Sequence, residues 1–119
     1  MRRIAITVFH ERVAPRLDSA DNLILVTVDN GKIKSRELVL LREKDPLRKV
    51  DVIFKIKPDL LICGWLTKMC EYKLRHSNIK LIPWVQGNVE NILSLCLENT
   101  VIEGSYYADK TLSELYSVK

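Results

Sequence analysis

The spacing of apolar positions changes along the chain, from a period of two near the start to the longer period of helices further on. Between Arg3 and Phe9, Ile4, Ile6 and Val8 alternate with Ala5 and Thr7, the pattern of a strand. His10 to Ala20 carries Pro15, Asp18 and Ser19 and reads as a loop. Leu23 to Asp29 is rich in β-branched and aliphatic residues. Asp29-Asn30-Gly31 then supplies residues that tolerate positive φ, and Lys32 to Leu40 resumes the strand pattern, which together predict a hairpin. Leu60-Leu61-Ile62 is apolar without alternation, as in a strand covered on both faces, and Ile79 to Pro83 is a second run of that kind.

The connecting segments read as helices. Residues 46–57 fit two periods: Val50, Val52, Phe54 and Ile56 alternate, while Leu47, Val50, Ile53, Phe54 and Lys57 share a helical face. Asp45-Pro46 has the form of an N-cap followed by proline at the first helical position. Successive parallel strands at 59–63 and 79–83 also need crossovers, which favours helix. Leu66, Met69, Cys70 and Leu74 form a stripe that predicts a helix over 66–76. Gly87-Asn88 opens a third, over 88–98, with Val89, Ile92, Leu93 and Cys96 on its inner face. The resulting order, βββαβαβα, predicts an α/β fold with a five-stranded mixed sheet and helices on its faces. Residues 1–99 make one domain. Residues 100–119 form a C-terminal extension in which Asp109, Leu112, Leu115 and Tyr116 have the spacing of a short helix.

Composition narrows the class. The 119 residues, 47% hydrophobic and 29% charged, suffice for a core without metal or disulfide staples. No apolar run approaches the roughly 20 residues needed to span a bilayer. The stretch after Arg2-Arg3 ends at Phe9, too short for a signal segment. Three widely spaced cysteines argue against a secreted disulfide framework, so a cytoplasmic location is expected and no membrane partner. The net charge of +4 favours anionic partners, but the basic residues are scattered, so no nucleic-acid partner is expected.

Candidate chemistry centres on Cys63-Gly64-Trp65, where an apolar strand stops at a thiol. Open α/β sheets bind ligands beyond the carboxyl ends of their strands, so Cys63 is either a soft metal ligand or a small buried hydrophobe. Cys70 and Cys96 lie on inner helical faces and read as core. His10, after the first strand, is either a second metal ligand or a solvated loop residue. Arg12 and Arg16 either cradle an anion or are ordinary surface charges. Trp65 and Trp84 follow two strands that should be neighbours and either wall a pocket or cover the sheet end. The amides around Gly87 either receive an anion or open a plain Asn-capped helix. His76 reads as a helix C-cap. The chain lacks Cys-x-x-Cys, His-x-x-x-His, Walker, Gly-x-Gly-x-x-Gly and Gly-x-Ser-x-Gly motifs, and its first strand carries no carboxylates, so no enzymatic turnover is expected.

Four stretches in order carry a resemblance: Arg12-Val13-Ala14-Pro15-Arg16-Leu17-Asp18-Ser19-Ala20, Val28-Asp29-Asn30-Gly31-Lys32, Asp59-Leu60-Leu61-Ile62-Cys63-Gly64, and Ile79-Lys80-Leu81-Ile82-Pro83-Trp84-Val85-Gln86-Gly87-Asn88-Val89-Glu90. Over roughly residues 2–99 the chain resembles the dinitrogenase iron-molybdenum cofactor-binding domain family, the NifX, NafY and NifB C-terminal group. The resemblance implies a ribonuclease H-like three-layer fold, five strands with the second antiparallel, and a carrier of iron–molybdenum or other metal–sulfur clusters. Cofactor-carrying members often have His-Phe-Gly in the first loop, where this chain has Arg16-Leu17-Asp18.

The expected function is therefore a small non-catalytic carrier or accessory protein, a monomer or weak homodimer, with a cluster donor or acceptor protein as partner. Its candidate contacts are Cys63, Gly64, His10, Arg12, Arg16, Trp65, Trp84 and Gly87, with Cys63 and His10 as metal ligands. Thiolate ligation predicts that Cys63→Ala abolishes binding. The alternative is an interaction or regulatory domain that keeps the scaffold without a cluster.

Overall fold

In the computed structural model, residues 1–98, 103–104 and 106–107 are described below. The long strands are β1 (Arg2–Phe9), β3 (Asn22–Asp29) and β4 (Lys32–Leu40), and the two-residue strand β2 (Arg12–Val13) lies between the first two. Then follow α1 (Pro46–Ile56), β5 (Leu60–Ile62), α2 (Lys68–Arg75), β6 (Lys80–Ile82), β7 (Gln86–Gly87), α3 (Val89–Leu97) and β8 (Tyr106–Tyr107). The main sheet runs β4-β3-β1-β5-β6, with β2 paired to β1 beyond the end of the path. As the hairpin pattern predicts, β3 is antiparallel to both neighbours, β1 and β4. β1, β5 and β6 run parallel, with Ile4 opposite Leu60 and Leu61 opposite Leu81.

The alternation in β1 feeds two cores. Ile4 and Ile6 pack with Val26, Leu60 and Ile62 under Val89, Ile92, Leu93 and Cys96 of α3. Ala5 faces the other way and joins Leu23, Leu25 and Leu61 beneath Val50 and Ile53 of α1 and Cys70 and Leu74 of α2. Helices thus cover both faces, which is why β5 is apolar throughout and Leu81 and Ile82 of β6 are both buried.

Local chemistry explains the boundaries. Asn30 and Gly31 both have positive φ (53° and 75°), the two-residue turn that matches the twist of a hairpin. Asp45 caps α1, its carboxylate accepting the Leu47 amide at 2.9 Å, and Pro46 begins the helix. Pro58 disfavours helical geometry at the residue before it, and Lys57 ends α1 in the left-handed region at φ 56°. α2 begins two residues after its apolar stripe because Thr67 is the cap, accepting the Cys70 amide at 3.3 Å, and leaves Leu66 buried ahead of it. His76 is its C-cap, as expected, with Nδ1 2.8 Å from the Tyr72 carbonyl.

Two details depart from the sequence pattern. The 10–20 segment is not all loop, since β2 pairs with β1 at Val8–Val13 and Phe9–Arg12. The extension contributes β8, parallel to β7, whereas the helix expected near residues 109–116 lies outside the described residues.

Candidate functional site

Because β1, β5 and β6 are parallel, the segments leaving them emerge at one end of the sheet: Phe9-His10, Cys63–Trp65 and Pro83–Val85. The first loop is then woven into the second. Leu17 donates to the Trp65 carbonyl at 2.7 Å and Trp65 to the Pro15 carbonyl at 2.8 Å, while Trp84 donates to the Gly64 carbonyl at 3.1 Å. Gly64 makes the crossing possible. A Cβ there would stand 2.4 Å from the Pro15 carbonyl oxygen and 2.5 Å from that of Ala14.

On this backbone frame three side chains converge. The Arg16 guanidinium lies 4.4 Å from the Trp65 ring centroid, and Trp65 meets Trp84 edge-on at 6.0 Å and 74°. The two indoles are 37% and 36% exposed, half in solvent and half in the wall. Asp18 steers Arg16, its Oδ2 lying 3.4 Å from the guanidinium, while its buried Oδ1 has no hydrogen-bond partner. Beside Arg16 opens a cleft of about 370 Å³ lined by Phe9, His10, Pro15, Ser19 and Asn22. The His10 ring stands edge-on to Phe9 at 4.3 Å. A larger, more open depression of about 630 Å³ lies on the flank near Leu40 to Lys44 and holds none of the aromatic side chains. His10 and Trp84 both have positive φ, 56° and 64°, a conformation that costs a non-glycine residue about 1–3 kcal/mol and persists only where its surroundings impose it.

Cys63 lies beneath this surface. Leu61 and Cys63 project to the same side of β5, so the sulfur packs with Cys70, Leu66 and Leu74 at 0% exposure, while its N–H and carbonyl bond to Ile82 and Val85. Burial, reinforced by Cys70 and Glu71, pushes its pKa far above the ordinary 9.0, away from the thiolate that metal binding uses. A raised thiol pKa stabilises the folded state below the unfolded value of 9.0, and that contribution fades as pH rises beyond it. Unfolding measured against pH should therefore show a loss of stability above pH 9 that is shallower in Cys63→Ala; identical slopes would mean the thiol is solvated. Cys70 and Cys96 are also core residues, as their spacing implied.

The other expected positions divide. His10, Arg16, Trp65 and Trp84 reach the surface at this end, and Gly64 is the crossing point against the Ala14 and Pro15 backbone. Arg12 is exposed one strand away, bridged to Asn88. Gly87, at φ 126°, leads into α3, whose first amides are already taken: Val89 donates to the Glu11 carbonyl, and Glu90 and Asn91 to the Asn88 side chain. That end is a plain Asn cap. Among the described residues no group of three or more His, Cys, Asp or Glu converges as a metal site. Phe9 and Asp18 escaped the sequence reading; the alternation of exposed Arg16, buried Leu17 and half-buried Asp18 was the available signal. No described helix is long and apolar enough to cross a membrane.

No protein-family model matches the chain, and no curated protein does. Solved structures do, and what they share with this chain is the fold, a mixed α/β sheet. A protein known as PH0822 superposes with a TM-score of 0.75 at 12% identity, covering 82% of this chain and 89% of its own. A candidate dinitrogenase of Methanocaldococcus jannaschii, MJ0327, gives 0.67 at 19% identity over 82% and 89%. The apo form of the orange protein from Desulfovibrio gigas gives 0.69 at 22% identity over 87% and 92%.

Proposed function

We propose that this chain is a small non-catalytic accessory protein that holds an anionic metal–sulfur cluster as cargo at the carboxyl end of its sheet. The observation that carries the reading is Arg16 stacked on Trp65, with Trp84 against it and the His10 cleft alongside. A cation held over exposed aromatic faces offers charge and polarisable surface together, which suits a large, soft anion. The supporting fold is one shared with the apo orange protein and the candidate dinitrogenase. A cluster donor or acceptor protein is the fitting partner.

With the Cys63 thiol buried, capture falls to Arg16, His10 and the indoles by contact around the cluster. The test is anaerobic titration with tetrathiomolybdate, read by tryptophan fluorescence. Binding should quench Trp65 and Trp84, and Arg16→Ala should weaken it about tenfold, the loss of one charge-assisted contact worth ~1.4 kcal/mol. Cys63→Ala should bind like the parent, with Cys96→Ala as a core control. If Cys63→Ala abolishes binding while the fold survives, the thiolate is the ligand and the loop must open to present it. A second reading, an interaction domain without cargo, draws on the buried thiol and on Asp18 already partnering Arg16; absence of any quenching in the parent would favour it.

A further inference from the structure

We propose that Glu103-Gly104 and Tyr106-Tyr107 brace the loop that carries Trp84 and so set the geometry of the cation-and-aromatic surface. Three contacts tie this short stretch down, two of them to that loop. The Gly104 amide donates to the Pro83 carbonyl at 3.1 Å, immediately before Trp84. Tyr106 and Tyr107 pair with Gln86 and Gly87 immediately after it. Upstream, Glu103 anchors the stretch to Arg75 of α2 at 3.2 Å, and Arg75 is itself held by Glu71 at 2.9 Å.

Trp84 has a strained left-handed backbone, gripped from one side by the hydrogen bond its N–H donates to the Gly64 carbonyl. The brace grips the other side. Glu103 and Gly104 are both exposed and belong to neither core layer. Loss of the brace should leave the fold and disturb the site. A two-residue parallel pair is weak by itself, so its alignment depends on the turn that precedes it. That turn is Gly104, at φ 77°, with nothing within 4 Å of where a Cβ would stand; the constraint is conformational and not steric. Gly104 is therefore a positioning residue.

The test uses the full chain carrying Gly104→Pro, which removes the donor and forbids the positive φ. Near-ultraviolet circular dichroism of the Trp65–Trp84 pair should change and acrylamide should quench the indoles more strongly, with Tm within about 4 °C of the parent. Tetrathiomolybdate affinity should fall about fivefold to tenfold, the scale of one misplaced contact; only this arm rests on the function proposed above. Unchanged tryptophan dichroism and quenching would overturn the brace, whatever happens to Tm. Should Gly104→Pro fail to fold, Gly104→Ala strains only φ and should give the same spectral changes at smaller amplitude, and the same null result there would overturn it. If the parent binds no tetrathiomolybdate, the cargo reading fails while the tryptophan signals still decide the brace.

Discussion

Gly64→Ala is expected to be the most damaging small substitution in this protein, costing about 3 kcal/mol or more in urea denaturation. The added Cβ would meet the backbone oxygens of Pro15 and Ala14, at 2.4 and 2.5 Å. A flexible side chain could swing aside, but these carbonyls belong to the strand-like pairing that joins Arg16 to Trp65. Relief therefore means lifting the 14–17 segment, with loss of the Leu17–Trp65 and Trp65–Pro15 hydrogen bonds. Leu17, fully buried, would be pulled with it. Set against a total stability of about 5–15 kcal/mol for a domain of this size, that is a large fraction. A midpoint close to the parent's would show that the first loop does not lie across Gly64 in solution.

The second large effect is expected at Lys49. Its ammonium is buried within α1 at 3% exposure and donates to the Ala20 and Leu41 carbonyls, each at 2.7 Å. It ties the end of the first loop to the segment leaving β4. Lys49→Met keeps the length and apolar stem but strands both carbonyls, at about 1–3 kcal/mol each. Releasing a buried charge from its desolvation cost offsets part of this, leaving a net loss of about 2–3 kcal/mol. Limited proteolysis should show new cleavage around residues 18–21 and 42–45. A methionine variant as stable as the parent would mean that desolvation outweighs the two hydrogen bonds.

The elements with dense local signals were legible in the chain. Asn30-Gly31 announced its turn, Asp45-Pro46 its helix start, and the apolar faces of α1 and α3 pointed to the core as expected, whereas Met69 of the stripe expected for α2 is exposed and only Leu66, Cys70 and Leu74 are buried. Where two periods competed over residues 46–57, the cap and the crossover requirement identified the winner. The failures have a common cause. β2, β7 and β8 are each two residues long, too short for any periodicity to reveal; β7 and β8 exist only through each other across a long stretch of chain, and β2 through a tight return onto β1. Lys49 reads as a solvated helical lysine because its acceptors are carbonyls at 20 and 41, and a carbonyl leaves no signature in the sequence. At Cys63 the chain showed the strand end correctly, but a run without alternation does not say which way its last side chain turns. The sulfur went inward, and the surface was left to Arg16 and the indoles. Membership of that surface was partly visible, since His10, Trp65 and Trp84 each follow a strand.

The two-layered core also bears on the order in which the molecule can be completed as it leaves the ribosome. Once α1 and α2 have been made, the layer around Ala5, Leu25 and Leu61 has nearly all its members. The opposite layer, around Ile4, Ile6 and Val26, has no cover until α3 arrives at residue 89. A nascent chain therefore carries one finished face and one bare apolar face through the synthesis of residues 76–88. During that interval the bare sheet is a natural client for a chaperone, and a transcript truncated there would yield a sticky product.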